Sequence, residues 1–322
     1  MIFERGFRAA ALAAAMLLPF AAGAQQWPTK PVRIIVPFGA GGGTDIQARL
    51  LGKNFQQSMK QTFIVDNRAG ASGIIGAELA VRSPADGYTI LFTTASLAVN
   101  VTLYGNRVKF DPLKDLAPVS WISSTPLVLV VHPSVPAKSV QELVAIAKRT
   151  GKMNAASNGA GTTSHLSIEM LKQMTGVDVA HIPYKGGGPS MAALMGGETD
   201  FLFATGPVAA TQVKAGKVRA LAVTTAKKSS AFPDLPTMSS IYPGFESDNW
   251  YAMFFPARTP KPIVDKLNAE IAKALKAEDI RAFMVREALD PVASSPEELH
   301  ANFKREIARY ATVIKTGKIT VQ

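Results

Sequence analysis

Val36-Pro37-Phe38-Gly39-Ala40-Gly41-Gly42-Gly43-Thr44-Asp45 follows the apolar run Val32 to Val36 and precedes a helical pattern that opens at Ile46. The order is strand, glycine-rich turn, helix start. Such a turn aims several backbone N–H groups into one concavity at the positive end of a helix dipole. Glycine lets an anion approach closely and supplies positive φ where the turn needs it. The stretch therefore predicts a place for a small negative group. It is not a P-loop, because no Lys-Ser or Lys-Thr follows the glycines, and Thr44 stands where a dinucleotide fingerprint needs its third glycine. Taken alone, a tight turn without any ligand competes with this reading.

Outward from this stretch, strands and helices alternate. Short β-branched runs recur at Val32–Val36, Phe63–Val65, Thr89–Phe92, Leu127–Val131, Val177–Ile182, Phe201–Phe203 and Val218–Val223. Between them Ile46, Leu50, Leu51 and Phe55 repeat at helix spacing, as do Ile263, Leu267, Ile271 and Leu275. Ser139 to Glu142 and Ser295 to Glu298 read as capping boxes, with stops at Gly151 and Gly317, and Thr259-Pro260 reads as another helix start. Alternation of this kind predicts an α/β fold of mainly parallel sheets flanked by helices. Trp250, Phe254 and Phe255 read as core.

The length points to two lobes. The first 24 residues hold Arg5 and Arg8, an apolar stretch from Ala9 to Phe20, and the small-x-small site Ala22-Gly23-Ala24. That is a secretory signal peptide cleaved after Ala24, with no cysteine to make it a lipoprotein. About 298 of the 322 residues remain, more than a single core usually serves. Two turn-rich segments read as crossings between lobes: Ser123-Ser124-Thr125-Pro126 and Phe232 to Phe245. The expected division is a discontinuous first lobe of residues 25–125 and 243–322 and a second lobe of residues 126–242. Open α/β sheets bind ligands at the carboxyl ends of their strands, so two such lobes would enclose a ligand between them.

The other strand-to-helix turns repeat the character of the first. Asn67 to Gly76 carries Ser72 between glycines, Thr93 to Ser96 supplies hydroxyls, and Ser157 to His165 offers Asn158, Gly161, Thr162, Thr163 and Ser164. Pro183-Tyr184-Lys185-Gly186-Gly187-Gly188 follows another strand. Turns of this type in both halves favour a small-anion site over a set of unrelated tight turns. Thr162 and Ser164 are expected to donate to a carboxylate, with Lys185 the only cation of the second-lobe turns.

Other functions find less support. The chain has no cysteine, which excludes disulfides, thiol catalysis and cysteine-ligated metal. The net charge is +11, but basic residues alternate with acids, as from Asp265 to Arg281, and form no aromatic-interleaved run for nucleic acid. The positive field helps collect small anions. His132, His165, His181 and His300 form no zinc motif, and Gly70-Ala71-Ser72-Gly73-Ile74 fails as a nucleophile elbow. His165 reads as a helix-start residue with local bonds, His181 as a core histidine, and Asp45 as a brace of its own helix start. No catalytic residue, metal or cofactor is expected.

The motifs together resemble the Bug receptors, the TctC-like extracytoplasmic solute-binding proteins of tripartite tricarboxylate transporters. The resemblance covers nearly all of the mature chain. It rests on Trp27-Pro28 and Pro31, Pro37-Phe38-x-x-Gly41-Gly42-x-x-Asp45, Asn67-Arg68-x-Gly70-Ala71-x-Gly73 and Pro84 to Thr89. In the second half it rests on Ser157-Asn158-Gly159-x-Gly161-x-x-Ser164-His165-Leu166, Pro183 to Gly186, Ala215 to Ala222 and Ala257-x-Thr259-Pro260. The resemblance implies a two-lobed periplasmic-binding-protein fold that closes like a Venus flytrap. It implies a monomeric periplasmic receptor that holds a small carboxylate through N–H groups, hydroxyls and water, and delivers it to membrane components of a transporter. By carry-over the site comprises Phe38, Gly41, Gly42, Thr44, Ala71, Ser72, Gly73, Thr94 and Ser96 of the first lobe. From the second it takes Asn158, Gly161, Thr162, Thr163, Ser164, Tyr184 and Thr205. Many members carry an aspartate near the place of Thr205, and its absence argues against amino-acid ligands. A carboxylate sensor signalling to a membrane kinase, and an exported enzyme using His165 or Asp45 on a small acid, remain the alternatives.

Overall fold

The computed structural model describes residues 27–320. The expected signal peptide and cleavage site lie outside the described residues. The first lobe opens with β1 (Val32–Val36), α1 (Gly43–Met59), β2 (Phe63–Asn67), α2 (Ile74–Val81), β3 (Thr89–Thr94) and α3 (Ser96–Leu103). The short α4 (Pro112–Asp115) leads into β4 (Leu116–Val131), the longest strand. The second lobe follows with α5 (Val140–Thr150), β5 (Met153–Ser157), α6 (Thr163–Thr175), β6 (Val179–Pro183) and α7 (Gly187–Met195). It is completed by β7 (Phe201–Thr205), α8 (Gly206–Lys214), β8 (Arg219–Val223) and α9 (Met238–Ile241). The chain returns through β9 (Asp248–Pro256), α10 (Lys261–Ala274), α11 (Glu278–Arg286), β10 (Asp290–Pro291) and α12 (Pro296–Thr316).

One continuous ladder links the lobes, in the order β2-β1-β3-β9-β4-β7-β5-β6. The amino-terminal half of β4 pairs with β9 and β10, and its carboxyl-terminal half with β7 and β8. The pairs β1–β2, β1–β3, β5–β6 and β5–β7 are parallel. In the first lobe β9 and the two-residue β10 run against the other strands; in the second lobe β4 does so. Each sheet is buried on both faces. Ile34 and Ile35 of β1 enter opposite core clusters, as do Leu127 and Val128 of β4, because successive side chains leave a strand on opposite sides.

The segment Ser123–Pro126, expected to be a turn between lobes, lies inside β4. Its hydroxyls are buried and find partners far along the chain. Ser123 Oγ donates to Gln47 Oε1 at 2.7 Å, and Thr125 Oγ1 to the Ala288 carbonyl at 2.7 Å. Those bonds let polar residues stay in a covered strand. Met238 and Phe245, from the other expected crossing, pack in the second-lobe cluster, and pairing with first-lobe strands begins at Asp248. The capping expectations divide. Ser295 and Glu298 form the full reciprocal box. Ser139 accepts from Glu142 N–H, but the Glu142 carboxylate takes the Lys138 N–H, so only half a box forms. Thr259 donates to the Pro256 carbonyl and does not cap α10, whose N-cap is Pro260.

Candidate functional site

The loops after β1 and β2 meet those after β5 and β6 across the cleft between the lobes. Gly39 N–H donates to the Lys185 carbonyl at 2.7 Å. The hydroxyls of Ser72 and Tyr104 both reach the Ala160 carbonyl, the second at 2.9 Å. The lobes thus touch directly at the rim of the cleft.

The glycine loop is shaped more by close approach than by unusual φ. Among Gly39, Gly41, Gly42 and Gly43 only Gly41 is left-handed, at φ 75°. Asp45 Oδ2 accepts the Gly41 N–H at 3.0 Å, and Arg49 pairs with Asp45 Oδ1 at 2.9 Å. Burial opposes ionisation of Asp45, yet the Arg49 bond and the Gly41 N–H outweigh it and hold the carboxyl below its ordinary value. Asp45 is a brace, as its position at a helix start suggests. Gly43 stands where a Cβ would overlap the Tyr251 hydroxyl and lie 3.2 Å from Thr205 Oγ1.

Between the lobes lies a cavity of about 30 Å³. Phe38, Gly42, Thr44, Thr94 and Ser96 line it from the first lobe, and Asn158, Thr162, Thr163 and Thr205 from the second. Gly43 and Gly187, from two of the glycine-bearing turns, also line it, as do Asn249 and Tyr251, which sequence reasoning passed over. No charged side chain is among the lining residues. Three buried polar atoms there, on side chains that lie beside one another, make no hydrogen bond of ordinary geometry: Thr205 Oγ1, Asn249 Nδ2 and Tyr251 Oη. Unpartnered buried polar atoms are rare in folded proteins and call for an explanation. Burial pushes the Tyr251 hydroxyl up to about 12, tempered by the neighbouring Thr205 and Asn249, so at neutral pH it is a donor. The Asn249 Oδ1 accepts from Thr163 Oγ1 at 3.4 Å, which turns the Nδ2 donor away from that bond. The arrangement presents neutral donors to one small volume, which suits an anion.

The remaining expected residues fall elsewhere. Ala71, Ser72, Gly73 and Tyr184 line an adjoining cavity of about 220 Å³, which shares Phe38 and Asn158 with the first. Gly41 faces a groove on another side of the cleft, with Gly188 and Met191. A Cβ at Gly161 would stand 2.9 Å from Leu103 and Tyr104, so Gly161 is a lobe contact, and its N–H goes to His165 Nδ1. Ser164 is fully buried and donates to the Phe203 carbonyl at 2.8 Å. Thr162 donates to the Gly159 carbonyl at 2.8 Å and caps α6 by accepting the His165 N–H at 3.4 Å. The hydroxyls expected of Thr162 and Ser164 are therefore spent on backbone groups. The free donors come instead from Thr205 and from β9.

His165 and His181 stack with ring centroids 4.1 Å apart. His165 Nδ1 accepts the Gly161 N–H at 3.1 Å, and His181 Nε2 lies 2.6 Å from Ser157 Oγ. Neither lines the central cavity. Burial, aided by Lys172, pushes His165 from its ordinary 6.5 to about 4. Burial pushes His181 down to about 4 as well, with His165 and Lys172 adding and Glu169 opposing. Both are neutral near pH 7. Unfolded histidines take up protons near 6.5, while the folded pair resists until about 4. Stability is therefore complete above the unfolded value and falls as pH drops from 6.5 towards 4. Urea midpoints across that range should decline, and His165→Gln should flatten the slope. An unchanged slope in the variant would mean that carboxylates alone set the acid limit.

Two α/β lobes sharing a ladder, with a donor-lined cavity between them, define a periplasmic-binding-protein fold. The family model for the tripartite tricarboxylate transporter family receptor matches residues 47–319, and the chain belongs to that family. It is 36% identical to the protein BugT of Bordetella pertussis over 296 residues, 91% of this chain and 90% of that protein. The solved periplasmic binding protein BugD superposes with a TM-score of 0.88 at 33% identity, covering 92% of this chain and all of that one. The structure of R. palustris Rpa4515 with adipate superposes at 0.88 and 35% identity, covering 91% of this chain and 99% of that one. Among the described residues no helix is long and apolar enough to cross a membrane.

Proposed function

We propose that this protein is a periplasmic receptor that captures a small carboxylate between its lobes and delivers it to the membrane components of a tripartite tricarboxylate transporter. The observation that carries the reading is the group of buried, unpartnered polar atoms on Thr205, Asn249 and Tyr251 around one uncharged cavity. A carboxylate has enough lone pairs to accept from all of the donors there at once, and charge-assisted bonds to it are the stronger kind. Phe38, Gly42, Thr44, Thr94, Ser96, Asn158 and Thr163 complete the wall around the bound group. The adipate held by Rpa4515 supports the ligand class. Capture without turnover is supported by Asp45 and His165, the two candidate bases, which are engaged with Arg49 and with backbone outside the cavity.

The lobes divide as residues 25–125 with 243–322, and 126–242, and the protein works as a monomer. Ligand contacts from both lobes shift the population towards the closed form, because only closure satisfies one small anion from both sides. A thermal-shift screen of mono-, di- and tricarboxylates tests the reading. A ligand at 100 times its dissociation constant should stabilise by about 2.7 kcal/mol. Absence of any shift across the whole set overturns the assignment.

A further inference from the structure

Asn158 stands where the two cavities meet. With Phe38 it lines both the inner one, about 30 Å³, and the outer one, about 220 Å³. The backbone on either side of it is pinned. The Ser157 carbonyl accepts the Tyr184 N–H at 3.0 Å, and Ser157 Oγ accepts the Gly159 N–H at 3.2 Å. What is left to settle is the direction of the Asn158 carboxamide. One edge of a carboxamide donates and the other accepts, so its direction decides whether it attracts an anion or opposes it.

Ser190 sets that direction. It lies in the first turn of α7 with its side chain fully buried, and its Oγ donates to Asn158 Oδ1 at 2.9 Å. Gly187, the first residue of α7, stands beside the same oxygen: a Cβ there would be 3.7 Å from it. The amino end of a helix favours an oxygen over an N–H group. Both neighbours thus hold Oδ1 towards α7. Among the described residues Asn158 Nδ2 makes no hydrogen bond, and unlike Thr205 Oγ1 and Asn249 Nδ2 it is not shut off from open volume. The cavities that Asn158 borders are these two, so the donor edge faces them.

We infer that Ser190 is a positioning residue for the ligand site. It holds the Asn158 carboxamide nitrogen-forward, so that the junction of the cavities donates to a ligand oxygen. This rests on the receptor reading above and deepens it with a residue that lines neither cavity. The effect of Ser190 on binding therefore passes through Asn158. Without the hydroxyl the carboxamide is free to turn, and apparent affinity falls with the fraction that is nitrogen-forward.

Calorimetry on the mature chain tests this, with acetate, succinate, adipate and citrate as probes and urea denaturation of each variant without ligand. Asn158→Ala should weaken the tightest probe about 10- to 100-fold, the usual loss of a donor to a charged group. Ser190→Ala should weaken it about two- to fivefold. In the Asn158→Ala background Ser190→Ala should cost no further affinity. Side-chain amide NMR on nitrogen-15-labelled protein adds a readout that a merely structural role would not move. The Asn158 Nδ2 resonances, identified by their loss in Asn158→Ala, should shift with probe in the unaltered chain and shift less in Ser190→Ala. Unchanged or raised affinity in Asn158→Ala would put the oxygen edge towards the ligand and overturn the inference. So would a Ser190→Ala variant that changes stability alone, or whose loss of affinity adds in full to that of Asn158→Ala. Those outcomes leave the receptor reading standing. Failure of all four probes to bind the unaltered chain overturns both.

Discussion

Gly43→Val is expected to abolish carboxylate binding. Gly43 begins α1 at the wall of the inner cavity. A Cβ there would overlap the Tyr251 hydroxyl, sit 3.1 Å from its ring carbon Cζ and lie 3.2 Å from Thr205 Oγ1. The added methyl groups have only the cavity to enter. They displace the ligand and push two of its donors at once. The loss should exceed about 100-fold, or roughly 2.7 kcal/mol. Overpacking should also cost stability, by about 1–3 kcal/mol. Two measurements separate the effects: calorimetric binding, and chemical denaturation followed by circular dichroism. Gly43→Ala combined with Tyr251→Phe removes the overlap with the hydroxyl, so it should recover stability without recovering affinity. Gly42 is the contrasting position. Its φ is −83°, and a Cβ would meet nothing closer than the Gly187 nitrogen at 3.4 Å, so Gly42→Ala should be far milder. Wild-type affinity in Gly43→Val would place the ligand elsewhere in the cleft.

Tyr251→Phe should move stability and binding in opposite directions. The Tyr251 hydroxyl is buried without a partner. Removing it relieves an unmet desolvation cost, so the free protein should gain about 1 kcal/mol. The ring itself is kept, packed 6.3 Å from Phe92 between centroids. The ligand, however, loses a donor to a charged group, worth about 1.5–3 kcal/mol or roughly a 10- to 100-fold drop in affinity. Urea denaturation without ligand and calorimetry with it give the two numbers. A less stable variant with unchanged affinity would show that the hydroxyl serves the fold alone. Thr205→Val probes the facing lobe in the same way and should show the same opposition at smaller amplitude.

Much of the architecture is legible along the chain because it is local. Val32–Val36, Phe63, Thr89 and Phe201 begin or form strands where β-branched and aromatic runs stand. The capping serine opens α12 and the left-handed Gly151 closes α5 where their local preferences put them, whereas Gly317 ends α12 at φ −78°, a backbone any residue adopts. The glycine-bearing turns do gather at one cleft, since the carboxyl ends of parallel strands share one edge. Phe38, Gly42, Thr44, Thr94, Ser96, Asn158, Thr162 and Thr163 belong to the strand-to-helix turns read from the sequence, Thr205 comes from the family resemblance, and all line the inner cavity.

Two strands were not legible. The middle of β4, Ser123 to Pro126, reads as a turn, because Ser123 and Thr125 look solvated until Gln47 and Ala288 arrive from elsewhere in the chain to bond them. β9 reads as anonymous core, because Trp250 to Phe255 is apolar on both faces and shows no period. Asn249 and Tyr251 were lost with it.

By itself the sequence determined the αβ units, the family and the loops that carry the site, because strand propensity, caps and glycine turns act within a few residues. Only the tertiary structure decided which polar atoms are free. Ser164 and Thr162 carry the same chemistry as Thr205, yet their hydroxyls close bonds to Phe203 and Gly159, while that of Thr205 stays unpartnered. A hydroxyl's availability depends on every acceptor within about 3 Å, and such acceptors come from chain segments whose distance no local pattern records.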